Sequence, residues 1–272
     1  MIDNIILAMR ASPNWAQLAQ DYAAGRTIDP SRYMPANNPR FPTEIPELIA
    51  RWNKYSNVSF FACRHRLREI AAENLAAVDG VTVTKWTEVP RLMDQLAGTR
   101  ALLFYHDDDD WFSPAMASLI RGVDIDTVDA VVFPFARLAA SVLTFTRDGT
   151  PTNDAIGRCA PFRFRYCTNN YGLTARALAT GPQALVEHED ASARAEKLGF
   201  VDVDLDILVS ATSKTPCSAG WLRDELRDDE ASFRGYVGRY LSALKALEVP
   251  AHLGWIDTPL RKTIELFESV AA

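Results

Sequence analysis

Cysteine is scarce in this sequence. Four are spread over 272 residues, at Cys63, Cys159, Cys167 and Cys217, with no CxxC pair. That spacing excludes a zinc cage and a disulfide framework, and it suits reduced thiols in a cytoplasmic protein. A long apolar run is also missing. The most apolar stretch, Val128 to Phe145, is interrupted by Asp129, Pro134 and Arg137, so no transmembrane segment is expected. The opening Met1-Ile2-Asp3-Asn4 lacks the basic region of a signal peptide. Positive charge is not in excess: 29 Lys and Arg face 35 Asp and Glu, for a net charge of -6. An acidic chain repels polyanions, so no nucleic-acid partner is expected. No P-loop, GxGxxG, GxSxG or HExxH stands anywhere in the chain. ATPase, dinucleotide dehydrogenase, serine hydrolase and zincin chemistry therefore lack their motifs.

What remains is an ordinary globular composition, 48% hydrophobic and 24% charged, with no repeat and no linker. The length suits one large domain, residues 1–272. Apolar runs at Ile5 to Met9, Val58 to Ala62, Val81 to Thr84 and Ala101 to Tyr105 predict strands. Helical spacing predicts helices at Ile45 to Asn53, Leu67 to Ala77 and Val89 to Leu96. The alternation predicts an α/β fold with a mixed, mostly parallel sheet flanked by helices. Ala101 to Tyr105, apolar throughout, predicts a strand buried on both faces. Further strands are predicted at Val128 to Phe133, Ser141 to Thr146, Phe162 to Cys167 and Val201 to Ser210. Further helices are predicted at Thr174 to Thr180, Asp190 to Leu198 and Asp224 to Leu247. The five prolines between Ile28 and Pro46 forbid regular structure there and predict a long loop, a candidate lid.

The chemistry concentrates after the buried strand, at His106-Asp107-Asp108-Asp109-Asp110-Trp111-Phe112-Ser113-Pro114. Ser113 is the expected N-cap of the next helix, with Pro114 in its first turn and Gly122 just past its end. The four carboxylates then lie at the carboxyl end of a strand, where open α/β sheets bind ligands. Alternate residues of an extended loop point the same way, so Asp107 and Asp109 converge on one cation in this reading. Their hard oxygens suit Mg²⁺ or Mn²⁺. The plainer alternative is a solvated acidic turn at a helix N-terminus.

An apolar strand, Asp-x-Asp, an apolar pair and then a helix resemble the donor site of GT-A fold glycosyltransferases. The run is most similar to that of bacterial putative rhamnosyltransferases and related polysaccharide glycosyltransferases, whose motif is Asp-Asn-Asp-Asp. This chain departs from it at Asp108. Met9-Arg10 stands where that family tends to have Thr-Arg. Glu187-His188-Glu189-Asp190, opening a helix that Gly199 ends, stands where it has an acidic pair.

The resemblance implies a GT-A-like single domain, with a nucleotide-sugar-binding half at 1–122 and an acceptor-side half at 123–272. It implies a metal-dependent, inverting transfer of a sugar from a nucleotide-sugar to a hydroxyl of a glycan or glycolipid. Asp107 and Asp109 would hold Mn²⁺ or Mg²⁺, and Asp107, Asp108, Arg10 and Arg64 would meet the nucleotide. Asp190 would be the catalytic base, although an N-cap is an equally ordinary role for it. His252 stands in the late half of the chain, where such enzymes often place a further metal ligand; a surface or packed histidine is the commoner role. Tyr166 to Gly172 and Ser213 to Trp221 read as loops near donor or acceptor. Two rival functions remain. One is a haloacid-dehalogenase-like or other metal phosphohydrolase; Trp111 stands where the former usually has Thr or Val. The other is a non-catalytic carbohydrate-binding protein.

Overall fold

The computed structural model describes residues 1–9, 14–27, 58–107, 109–137, 156–157, 170–180, 193, 195–213, 215–217, 230–247, 249 and 251–272. The chain forms two compact units. The first gathers Met1–Arg10, Glu73–Leu138 and Ile156–Thr212, and the second gathers Ala11–Ala72, Ala139–Ala155 and Ser213–Ala272.

The first unit is α/β. Its larger sheet is built on β1 (Asn4–Met9), β2 (Thr82–Lys85) and β3 (Ala101–His106), with β5 (Ala130–Val132), β8 (Tyr171–Thr174) and β9 (Asp202–Asp204). The strand order is β2-β1-β3-β8-β5-β9. Pairings β1–β2, β1–β3 and β5–β9 are parallel, and β8 runs antiparallel to both neighbours. The sheet is therefore mixed and mostly parallel, as the alternation of apolar and helical segments predicts.

Two apolar layers cover its faces, because successive side chains of a strand point opposite ways. Ile6, Ala8, Leu103, Tyr105, Val132 and Leu173 join one layer, together with Trp86, Val89 and Leu96. Ile5, Leu7, Leu102, Phe104, Val131 and Phe133 join the other, with Phe112, Met116 and Ile120. Every residue of β3 is buried, which is why its sequence shows no polar alternation. α3 (Val89–Leu96) takes the bounds its spacing predicts. At 193 and 195–198 the chain is helical, and Gly199 follows with φ 65°, the left-handed conformation expected of a helix-ending glycine.

A smaller sheet, in the order β4-β10-β6-β7, adds β4 (Asp110–Phe112), β6 (Phe135–Arg137), β7 (Ile156–Gly157) and β10 (Ser210–Thr212). Its strands of two or three residues are too short to show a period. The predicted strand Val201 to Ser210 holds β9 and only the first residue of β10, and the two belong to different sheets.

Three local expectations are corrected. Val58 to Ala62 is not a strand: it opens α2 (Val58–Ala76), one helix that continues through Leu67. A short apolar run reads equally as strand or buried helix, and here the helix extends backward through it. Tyr171 and Gly172, read as the end of a loop, instead open a buried strand, Tyr171–Thr174, in the middle of the sheet. Ser113 is not the N-cap of the helix after the acidic run. α4 (Met116–Ile120) starts later, and Ala115 occupies that position without a side-chain bond. Ser113 instead accepts at Oγ from the Ala115 amide at 3.3 Å. The helix predicted from Thr174 does form, with Thr174 as its cap: its Oγ1 accepts from the Ala177 amide at 3.3 Å and starts α5 (Ala175–Leu178).

In the second unit α1 (Trp15–Ala23) places a buried Asp21 against Arg26, 2.8 Å away. α6 (Glu230–Lys245), predicted as the longest late helix, packs on α7 (Asp257–Ala271). Tyr240 meets Phe267 edge to face at 5.4 Å, and Lys245 Nζ lies 2.6 Å from Glu268 Oε1. Cys63 and Cys217 are buried free thiols, in keeping with their spacing. No helix among the described residues is long and apolar enough to cross a membrane.

Candidate metal centre

β3 delivers the chain to the acidic run from the interior of the sheet. Its last residue, His106, is fully buried, and the strand stops at the first aspartate. A tight turn then reverses the chain into β4. The Asp107 amide donates to Asp110 Oδ2 at 2.8 Å, and the Asp110 amide donates to the Asp107 carbonyl at 3.3 Å. The carboxylate of Asp110 thus closes the turn that carries Asp107 and Asp109.

One carboxylate oxygen from each of Asp107, Asp109 and Asp110 lies within 4.8 Å of the others. Asp110 is 1% exposed and Asp109 7%, so these are not solvated surface charges. Each pair of like charges about 4 Å apart costs several kcal/mol at an effective dielectric near 20. Burial withdraws the water that would otherwise screen them. A divalent cation reverses the sign of that balance. Three hard oxygens with no nitrogen or sulfur among them suit Mg²⁺, Mn²⁺ or Ca²⁺ rather than zinc. The residues present therefore fit a hard cation.

One strand and one helix fix the turn. β10 pairs antiparallel with β4, setting Ser210 opposite Phe112, Ala211 opposite Trp111 and Thr212 opposite Asp110. On the other edge of β4, Asn74 of α2 does the work of a neighbouring strand. Its Oδ1 accepts from the Phe112 amide at 2.7 Å and its Nδ2 donates to the Phe112 carbonyl at 3.1 Å. Ser113 then donates its amide to the Val209 carbonyl at 2.8 Å. Asn74 has no distinguishing mark in the sequence beyond a polar residue on a helix face, and nothing there signals its role.

His106 stands behind the turn with its ring edge to face on Phe112, centroids 5.7 Å apart. Burial pushes the imidazole down to about 4, against a weaker opposing pull from Asp107. The ring is neutral at neutral pH. Its Nδ1 lies 3.2 Å from the Asp107 carbonyl, which requires a proton on Nδ1 and leaves Nε2 an unprotonated acceptor. Burial also holds the neighbouring Tyr105 phenol above its ordinary value. Trp111 is 2% exposed and packs in the interior.

The structure brings Asp107 and Asp109 together, though across a tight turn rather than along an extended loop, and adds Asp110 through its bond to the Asp107 amide. Arg64 lies on α2 in the second unit, buried at 8% exposure, on a helix rather than after a strand. His252 is exposed on a 3-10 turn, Ala251–Ile256, of the same unit. Arg10, Asp108, Glu187, Glu189 and Asp190 lie outside the described residues, as do Ile28 to Pro46. Compared with known proteins, the chain matches no protein-family model and no curated protein.

Proposed function

We propose that the chain is a metal-dependent glycosyltransferase of GT-A-like fold, moving a sugar from a nucleotide-sugar to a hydroxyl of a glycan or glycolipid. The observation that supports it is the gathering of Asp107, Asp109 and Asp110 within 4.8 Å at the carboxyl end of β3, inside a mixed α/β sheet. Ligands of open α/β sheets sit at strand carboxyl ends, and a cluster of hard oxygens there suits a diphosphate held through Mn²⁺ or Mg²⁺.

Asp107, Asp109 and Asp110 would hold the cation. When bound, it offsets the negative charge that develops on the departing nucleoside diphosphate. The chain's own groups orient the reactants. Asp110 keeps the turn closed through the Asp107 amide, and Asn74 keeps β4 in line. Asp190 takes the proton of the acceptor hydroxyl in this reading, and a single in-line displacement inverts the anomeric centre.

The test is a thermal-shift panel of nucleoside diphosphates with and without Mn²⁺. A ligand that binds only the folded state raises the melting temperature by mass action. Stabilisation by a nucleoside diphosphate that requires Mn²⁺ is the expected result. Stabilisation by glycans alone would indicate a carbohydrate-binding protein. Release of inorganic phosphate from phosphate esters would indicate a phosphohydrolase. Either of these without a metal-dependent nucleotide shift would overturn the proposal.

A further inference from the structure

Around the acidic turn, buried side-chain atoms are left without a hydrogen-bond partner: Thr212 Oγ1, Ser210 Oγ and His106 Nε2. Thr212 is 4% exposed and Ser210 is fully buried. Buried hydroxyls almost always find a partner, so each orphan asks for an explanation. The register of β10 on β4 separates the two hydroxyls. Thr212 stands directly opposite Asp110, whereas Ser210 stands opposite the apolar Phe112. Directly opposed residues of an antiparallel pair project to the same face, with their Cβ atoms about 4.5 to 5.5 Å apart. The Thr212 hydroxyl and the Asp110 carboxylate are therefore neighbours on one face of the small sheet.

Among the described residues nothing uses that hydroxyl. The strand would be served as well by valine, which has the same shape and an equal preference for strands. A carboxylate has acceptor sites on both oxygens, and the Asp107 amide occupies one on Oδ2. A carboxylate that ligates a cation is commonly held by a hydrogen bond from outside the ligand set.

We propose that Thr212 is a positioning residue for the divalent cation, its hydroxyl donating to the Asp110 carboxylate when that group turns to the ion. This rests on the reading of the turn as a metal site. Thr212 itself does not touch the metal. It fixes which way the Asp110 carboxylate faces, and with it the spacing of all three aspartates.

The experiment titrates Mn²⁺ into the full chain without nucleotide and follows free Mn²⁺ by electron paramagnetic resonance. Thr212→Val and Thr212→Ala should weaken Mn²⁺ binding about 10- to 100-fold, the usual effect of losing such a support. Thr212→Ser, which restores the donor, should recover most of that loss. Ser210→Ala should bind as the parent does. Thr212→Val should also melt at or above the parent's temperature without metal, since it removes an unpaired buried hydroxyl. Stability and affinity then move in opposite directions, which a purely structural role does not produce. Equal Mn²⁺ affinity in Thr212→Val and the parent overturns the inference while the metal site stands. Equal losses in Thr212→Ala and Ser210→Ala also overturn it, since packing alone would explain both. A parent chain that binds no Mn²⁺ overturns the metal site and this inference together.

Discussion

The side chain of Asn74 pairs with both backbone groups of Phe112, accepting from its amide at 2.7 Å and donating to its carbonyl at 3.1 Å. A helix residue thereby completes the edge of the strand that begins with Asp110. β4 is three residues long and holds its place through β10 on one side and this amide on the other.

Asn74→Ala should therefore loosen the turn. It leaves a buried amide and carbonyl without their partner, at about 1 to 3 kcal/mol. Denaturant unfolding should show that loss. Mn²⁺ affinity should fall as well, because the carboxylates lose a fixed frame. Unchanged stability would mean that β10 alone secures β4.

Asp109→Asn removes one of three crowded charges and keeps the side chain's size. The metal-free protein should melt at or above the parent's temperature, because repulsion is relieved. Stabilisation by Mn²⁺ should vanish. Parallel melting curves with and without Mn²⁺ check both statements. A variant as strongly stabilised by Mn²⁺ as the parent would place the metal elsewhere.

His106 predicts a pH dependence of folding. Its ordinary pKa is 6.5 and burial lowers it to about 4 in the folded chain. Below pH 6.5 the unfolded chain binds a proton that the folded chain refuses. Stability is therefore full above 6.5 and falls until about 4, at about 1.4 kcal/mol for each pH unit of that gap. His106→Leu should flatten this part of the profile in the metal-free protein. The difference between parent and variant unfolding free energies at pH 7.5 and 4.5 reads the effect, and an identical slope in both would count against a neutral buried ring.

Gly172 lies opposite Phe104 in the β3–β8 pairing. A Cβ there would meet the Phe104 ring at 2.4 Å, far inside contact distance. The ring is fully buried and lies 5.9 Å from that of Phe133, centroid to centroid. Gly172→Ala should cost about 1 to 3 kcal/mol through overpacking. The double variant Gly172→Ala with Phe104→Leu should lose less than the sum of the two single changes, measured as a double-mutant cycle.

Asp190→Asn tests the proposed base. Asn retains the ability to cap a helix, so stability should hardly move. Sugar transfer should fall about 10²- to 10⁴-fold, the ordinary worth of a general base. Mn²⁺ binding should survive, since the proposed cation site lies in the turn after β3. Unimpaired transfer would leave Asp190 a helix cap and direct attention to Glu187 and Glu189.

The sequence by itself determined β1, β3 and α3, and the placement of carboxylates at the carboxyl end of β3. These rest on local information: an unbroken apolar run, an apolar spacing of three and four, and charges adjacent in the chain. It also determined the helix-ending role of Gly199, which depends on the residue's own backbone freedom. Tertiary structure decided the rest. Val58 to Ala62 is helical because α2 extends through it, a choice that a five-residue run cannot make alone. Asp110 joins the acidic cluster because its carboxylate folds back on the Asp107 amide. Thr212 reaches it through strand register, and Asn74 through the packing of a helix against a strand edge. Thr212 stands 102 positions beyond Asp110 and Asn74 stands 38 before Phe112. Pairing across such distances depends on how the chain closes in space, and no periodicity within a segment records it.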